Sequence, residues 1–102
     1  MPAPLTEEEF SKHVNTKFRV ALQPPVEFEL TQVKGYAAGT DEQGGMERFS
    51  VYFAGPGEPL LPQGIYSLEH EGMGAFELFL VPLKKDQAGI QYEAVFNYFK
   101  QT

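Results

Sequence analysis

Apolar positions along this chain change their spacing once, and the change separates a helix from a series of strands. Thr6-Glu7-Glu8-Glu9 opens the pattern. Thr6 can accept a hydrogen bond from the residue 9 N–H, and Glu9 can reach back to the Thr6 N–H, which is a capping box. The three carboxylates lie where the helix dipole favours negative charge. Leu5 and Phe10 are placed as a hydrophobic staple across the cap. Phe10 and Val14 are four apart and share a face, so the spacing predicts about two helical turns ending near Val14-Asn15.

From Lys17 onwards the period is two. Phe18, Val20 and Leu22 alternate with Lys17, Arg19 and Ala21, which predicts a strand with one wet face. Pro24-Pro25 ends it. Val26, Phe28 and Leu30 alternate with Glu27, Glu29 and Thr31 in a second strand, and the short gap implies an antiparallel hairpin. A third strand carries Phe49, Val51 and Phe53 on one face and Arg48, Ser50 and Tyr52 on the other. Ile65 to Glu69 is a fourth, with Tyr66 and Leu68 sharing a face, and Glu71-Gly72-Met73-Gly74 is a hairpin connection. Ala75 to Leu83 is apolar on both faces, with Phe76, Leu78 and Leu80 opposed to Phe79 and Val81. That predicts a central strand covered on its second face by the helix or a loop. Ile90 to Phe99 is the last strand. Tyr92, Ala94, Phe96 and Tyr98 share one face, with Val95 and Phe99 on the other.

Two connections are long. Gly35 to Met46 is glycine-rich and acidic, and is expected to be mobile. Gly55 to Gly64 contains Pro56, Pro59 and Pro62, which forbid a regular element and stiffen the loop. One helix and about six strands joined by mostly short loops imply a mainly β fold, an antiparallel barrel or sandwich with a short N-terminal helix. No internal repeat or low-complexity tract interrupts it. A length of 102 residues fits one domain, residues 1–102.

Composition narrows the functional classes. There is no cysteine, so disulfides, thiolate catalysis and Cys-ligated metals are excluded. The net charge is −6 and the few Lys and Arg are scattered. A nucleic-acid binder needs a basic face, and anionic membranes attract basic clusters, so neither partner is expected. No apolar run approaches the roughly 20 residues that span a bilayer. Met1 to Phe10 lacks the basic and apolar regions of a signal peptide, so a cytoplasmic location is expected.

Catalytic constellations are weak. Glu69-His70-Glu71 is the one local cluster of metal-ligating residue types, but on a strand His70 points away from the two carboxylates. Ser11, Ser50 and Ser67 occupy no nucleophile elbow, and Ser11 and His13 do not share a helix face. The scattered glutamates are ordinary wet-face residues. Gly44-Gly45 and Gly55-Pro56-Gly57 are not followed by a helix with Lys and Ser or Thr, as phosphate loops are. The expectation is no enzyme, no metal and no cofactor. Tyr36, Tyr52, Tyr66, Tyr92 and Tyr98 either cap the core with hydroxyls in water or form an adhesive surface.

Pro59-Leu60-Leu61-Pro62-Gln63-Gly64-Ile65-Tyr66-Ser67-Leu68-Glu69-His70, Leu78-Phe79-Leu80-Val81-Pro82 and Tyr92-Glu93-Ala94-Val95-Phe96-Asn97 together resemble a family of small bacterial domains of unknown function. Leu5-Thr6 through Phe10, His13-Val14 and Phe18 fit the same pattern, so the resemblance runs over nearly the whole chain. It carries no catalytic residues across. It implies an accessory role in a phage-tail-like or other multi-protein assembly.

The expected function is therefore a non-catalytic protein-interaction or structural module with a protein partner. The alternative is a small β-barrel holding an apolar ligand. Irregular loops on a rigid β scaffold carry recognition more often than its strands do. The expected contact surfaces are accordingly the Gly35–Met46 and Gly55–Gly64 loops, with Tyr52, Leu60, Leu61 and Tyr66 as the candidate residues. If Leu60 and Leu61 are both buried, that loop is a core plug. If one is exposed beside Tyr52 or Tyr66, it anchors a contact patch.

Overall fold

The computed structural model describes residues 6–35 and 46–99, for 46–48 and 97–99 the backbone alone. The Leu5 staple, Tyr36 and the body of the Gly35–Met46 loop lie outside the described residues, as does the Tyr98 side chain. The helix α1 (Glu7–Ser11) is followed by β1 (Lys17–Val20), β2 (Val26–Gly35), β3 (Met46–Gly55), β4 (Gly64–His70), β5 (Gly74–Asp86) and β6 (Gly89–Phe99).

Thr6 caps α1 as its sequence implies, with Oγ1 accepting the Glu9 N–H at 3.1 Å. The Glu9 carboxylate turns forward along the helix, to Lys12 Nζ at 3.5 Å and His13 Nε2 at 3.3 Å. The helix is shorter than its spacing predicts. Lys12 and His13 donate to the carbonyls three residues back, Glu9 and Phe10, so the last turn tightens. Asn15 then takes a left-handed φ of 74°, a conformation asparagine tolerates. The Asn15 N–H donates to Leu30 O and the Leu30 N–H to Thr16 O, which ties the helix exit to β2.

The strands form a closed ring in the order β1-β2-β3-β6-β5-β4, with every neighbouring pair antiparallel. Two three-stranded meanders, β1–β3 and β4–β6, build it, joined by β3 against β6 and β1 against β4. The meanders share a topology without a repeated sequence. β5 serves two ladders in turn, pairing with β4 through Leu80 and with β6 from Val81. A register shift between Pro82 and Lys84 accommodates the bend. At the β5–β6 turn Gly89 has φ +133°, and a Cβ there would lie 2.1 Å from Gly55 O, so the turn packs backbone to backbone on the end of β3.

Aromatic rings fill the barrel. Phe28 stacks on Tyr92 at 4.7 Å, Phe18 meets Phe53 edge-on at 5.3 Å, and Phe49 stacks on Phe96 at 4.6 Å. Phe10 enters one end from α1, with its ring 5.5 Å from Phe96, 6.0 Å from Phe76 and 6.2 Å from Phe49. Tyr92, expected as a cap reaching water or an adhesive side chain, is instead fully buried.

One expectation about packing fails. The second face of the β5 segment is not covered: Leu80 is fully buried but Phe79 is half exposed. Closure of the ring leaves β5 without a free sheet edge, and α1 packs against β2 and β3 instead. Phe79 therefore stands on the outer wall.

Candidate functional site

The four candidate residues do not form one surface. β3 and β4 stand opposite each other in the ring, so the Gly55–Gly64 connection must cross the barrel end between them. Leu61 is the plug of that end. It is 5% exposed, and its N–H donates to the buried Tyr92 hydroxyl at 3.0 Å. Tyr66 ties the same loop down, its hydroxyl donating to Pro62 O at 2.6 Å. Burial, and to a lesser extent Tyr92, push the Tyr66 hydroxyl pKa up from 10.0, so it remains a donor at neutral pH. Leu60 is 57% exposed beside this tethered segment. Beneath the loop, Leu22, Pro24, Pro25, Pro56 and Pro59 line an open cleft of about 500 Å³. Tyr52 lies elsewhere, half-buried on β3 and alternating with the inward Val51 and Phe53.

Tyr52 instead belongs to a wall that loop-centred reasoning missed. On the outer faces of adjacent strands, Ile65 on β4 pairs directly with Phe79 on β5. Val81 on β5 pairs with Glu93 on β6, and Glu93 pairs on its other side with Tyr52. Val95 is two residues beyond Glu93, on the same face. Ile65, Phe79 and Val95 are 69%, 51% and 60% exposed. Apolar side chains scattered singly over a surface need no explanation, but neighbours on adjacent strands form a patch. The wall around β1 has the opposite character: Arg19 makes two hydrogen bonds to Glu69 Oε1, and Lys17 lies 3.8 Å from Glu29. Such exposed pairs contribute little stability but keep that wall wet.

At the barrel end beside α1, the two histidines come together, their ring centroids 4.6 Å apart. The sequence places them on separate elements and gives no sign of the contact. His70 Nδ1 accepts two backbone N–H groups, from Gly72 at 2.9 Å and Met73 at 3.1 Å. Its proton therefore sits on Nε2, 2.9 Å from Thr16 Oγ1, which in turn donates to His13 O at 2.6 Å. Both ring nitrogens are thus occupied in latching the β4–β5 turn to the helix exit. No group of three or more His, Cys, Asp or Glu able to hold a metal ion occurs among the described residues.

Burial lowers the His70 pKa from 6.5, with proximity to His13 adding to the effect and Glu71 opposing it. A lowered folded pKa means that the unfolded chain takes up the proton first. The latch is then at full strength above about pH 6.5 and weakens as pH falls below that value. Urea midpoints measured from pH 8 to pH 5 should fall on the acid side, and His70→Asn should flatten that decline. An equal acid decline in the variant would remove His70 as its cause.

A family model described as a domain of unknown function (DUF6916) matches residues 5–96. The chain belongs to the DUF6916 family. Neither the curated proteins nor the solved structures compared with it gave a match. In this DUF6916 chain the matched span takes in α1, the plug loop and the whole Ile65–Phe79–Val95 wall. No helix among its described residues is long and apolar enough to cross a membrane.

Proposed function

We propose that this DUF6916 domain is a non-catalytic protein-interaction module, serving as an accessory in a phage-tail-like or other multi-protein assembly in the cytoplasm. The observation that carries the reading is the row of Ile65, Phe79 and Val95, exposed together on the outer wall of β4, β5 and β6. Apolar rows on a rigid, closed sheet offer a partner contact area without an ordering cost. The histidines support the non-catalytic part, since the His70 ring is spent on structural hydrogen bonds. An apolar ligand held inside the barrel finds no support, because Phe18, Phe28, Phe53 and Tyr92 already occupy the interior.

The test is site-specific photo-crosslinking in the source cells. A photoreactive phenylalanine analogue at Phe79 should yield discrete protein adducts. The same analogue at Glu27, on β2 across the ring and exposed, should not. Equal labelling from both positions would sink the proposal.

A further inference from the structure

We infer that the β4–β5 turn, Glu71 to Met73, is an acid-released gate that opens this end of the barrel while the β3–β6 ladder stays closed. The His70 ring is its catch. Nδ1 accepts the N–H groups of Gly72 and Met73, and Nε2 keeps its proton toward Thr16 Oγ1. A second proton can go only to Nδ1. It would turn the acceptor of two backbone N–H groups into a donor that faces them, so a protonated ring and a closed turn exclude each other. The gate also carries a core residue. Met73 is 1% exposed, and the hydrogen bond from its own N–H is one that the proton removes. The His70 ring in turn lies 4.2 Å from the buried Phe18. Opening draws Met73 out and bares apolar surface at the end that Phe10 plugs. The β3–β6 ladder, from Met46↔Phe99 to Gly55↔Ile90, includes neither residue.

The charges around the ring leave this conflict standing. On α1, the Glu9 carboxylate is engaged with Lys12 and His13, and the His13 ring adds a like charge beside His70 whenever it is protonated. Around the hollow that the His70 ring borders stand Lys17 and Arg19 on β1, Glu27 on β2 and Glu69 on β4, while β5 brings only Gly74 and Ala75. Lys17 pairs with Glu29, and Arg19 with Glu69. Glu71 favours a charged ring, but burial of the ring outweighs it, and Glu71 stands on the turn and moves with it. Opening returns the ring to water. The closed turn therefore binds the proton less well than the open one, and falling pH draws the turn open. The open fraction rises below about pH 6.5, the ordinary value for a histidine in water, by up to about tenfold per pH unit. A short turn opens at lower cost than a ladder of paired strands, which keeps the change local.

Oxidation of Met73 by hydrogen peroxide, followed by peptide mapping at pH 7 and pH 5 and scaled to free methionine, tests the gate. In the full wild-type chain Met73 should oxidise about fivefold faster at pH 5, and the Gly72 and Met73 amides should lose hydrogen-exchange protection to a similar extent. Amides of the β3–β6 ladder should remain far better protected than those of the turn, which separates local opening from unfolding. His70→Asn offers the two N–H groups a side-chain oxygen that does not titrate, so Met73 should oxidise slowly at both pH values. His13→Gln removes the second ring charge and should open less at pH 5 than wild type. A Met73 rate that is the same at both pH values overturns the inference, as does an equal acceleration in His70→Asn. Protection lost evenly over turn and ladder overturns it as well, and that comparison needs only the wild-type chain, so it decides the matter even if His70→Asn fails to fold.

Discussion

Leu80→Ala is expected to destabilise the fold by about 2–5 kcal/mol, the usual cost of truncating a fully buried leucine. Phe79→Ala, one residue earlier, should cost well under half as much. The two residues separate the faces of β5. Leu80 points into the barrel and is fully buried, whereas Phe79 is half exposed on the outer wall. Truncating Leu80 removes apolar contacts and leaves a cavity that a ring of hydrogen-bonded strands cannot collapse to fill. Truncating Phe79 removes area that is half in water already, and substitutions at exposed positions usually stay within about 0.5 kcal/mol. Urea midpoints of the two variants, at equal slopes, make the comparison. Equal losses would mean that something covers the outer face in solution.

The same pair of residues shows where sequence reasoning stops. Period-two alternation locates all six strands, because a half-buried strand must alternate. Thr6-Glu7-Glu8-Glu9 locates the helix start through its cap. In β5 both faces are apolar, and hydrophobicity alone cannot distinguish a face covered by the fold from one reserved for a partner. The prediction of a covered face followed from assuming that apolar residues are buried. Closure of the ring refutes it, since the outer wall of a barrel has no second layer to pack against. The shortened helix is a smaller case: Phe10 and Val14 have helical spacing, but tight turns and a left-handed Asn15 end the regular bonding earlier.

The candidate surface was legible only in pieces. Tyr52 is correctly placed on the strand face opposite Val51 and Phe53, but its neighbours across the sheet are Gln32 on β2 and Glu93 on β6, distant in sequence. Ile65, Phe79 and Val95 carry no local signal beyond being apolar, and only the pairing registers assemble them. The proline-rich loop attracted attention because irregular loops often bind. Its leucines divide the two roles instead, Leu61 plugging the barrel and Leu60 remaining exposed. The His13–His70 contact is likewise a product of the fold, since the turn after α1 and the end of β4 meet only when the barrel closes.

Tyr92→Ala should cost about 3–5 kcal/mol, the range for removing a large buried aromatic ring. Tyr92→Phe should cost about 1–3 kcal/mol, the penalty for leaving a buried donor without its acceptor. The two substitutions test different links in one chain of cause. The ring stacks on Phe28 in the barrel interior, while the hydroxyl accepts the N–H of Leu61 and fixes the plug loop across the barrel end. Removing the ring hollows the core and takes a large share of the about 5–15 kcal/mol that holds a domain of this size folded. Removing the hydroxyl alone leaves the core packed and frees the loop. Hydrogen exchange then provides the sharper measurement. In Tyr92→Phe the Leu61 amide should lose protection by about tenfold more than amides in the β3–β6 ladder, which change only by the global loss in stability. A Leu61 amide that keeps its wild-type protection would show that the prolines and Tyr66 hold the loop without help from Tyr92. Uniform loss across the ladder would instead assign the whole effect to the core.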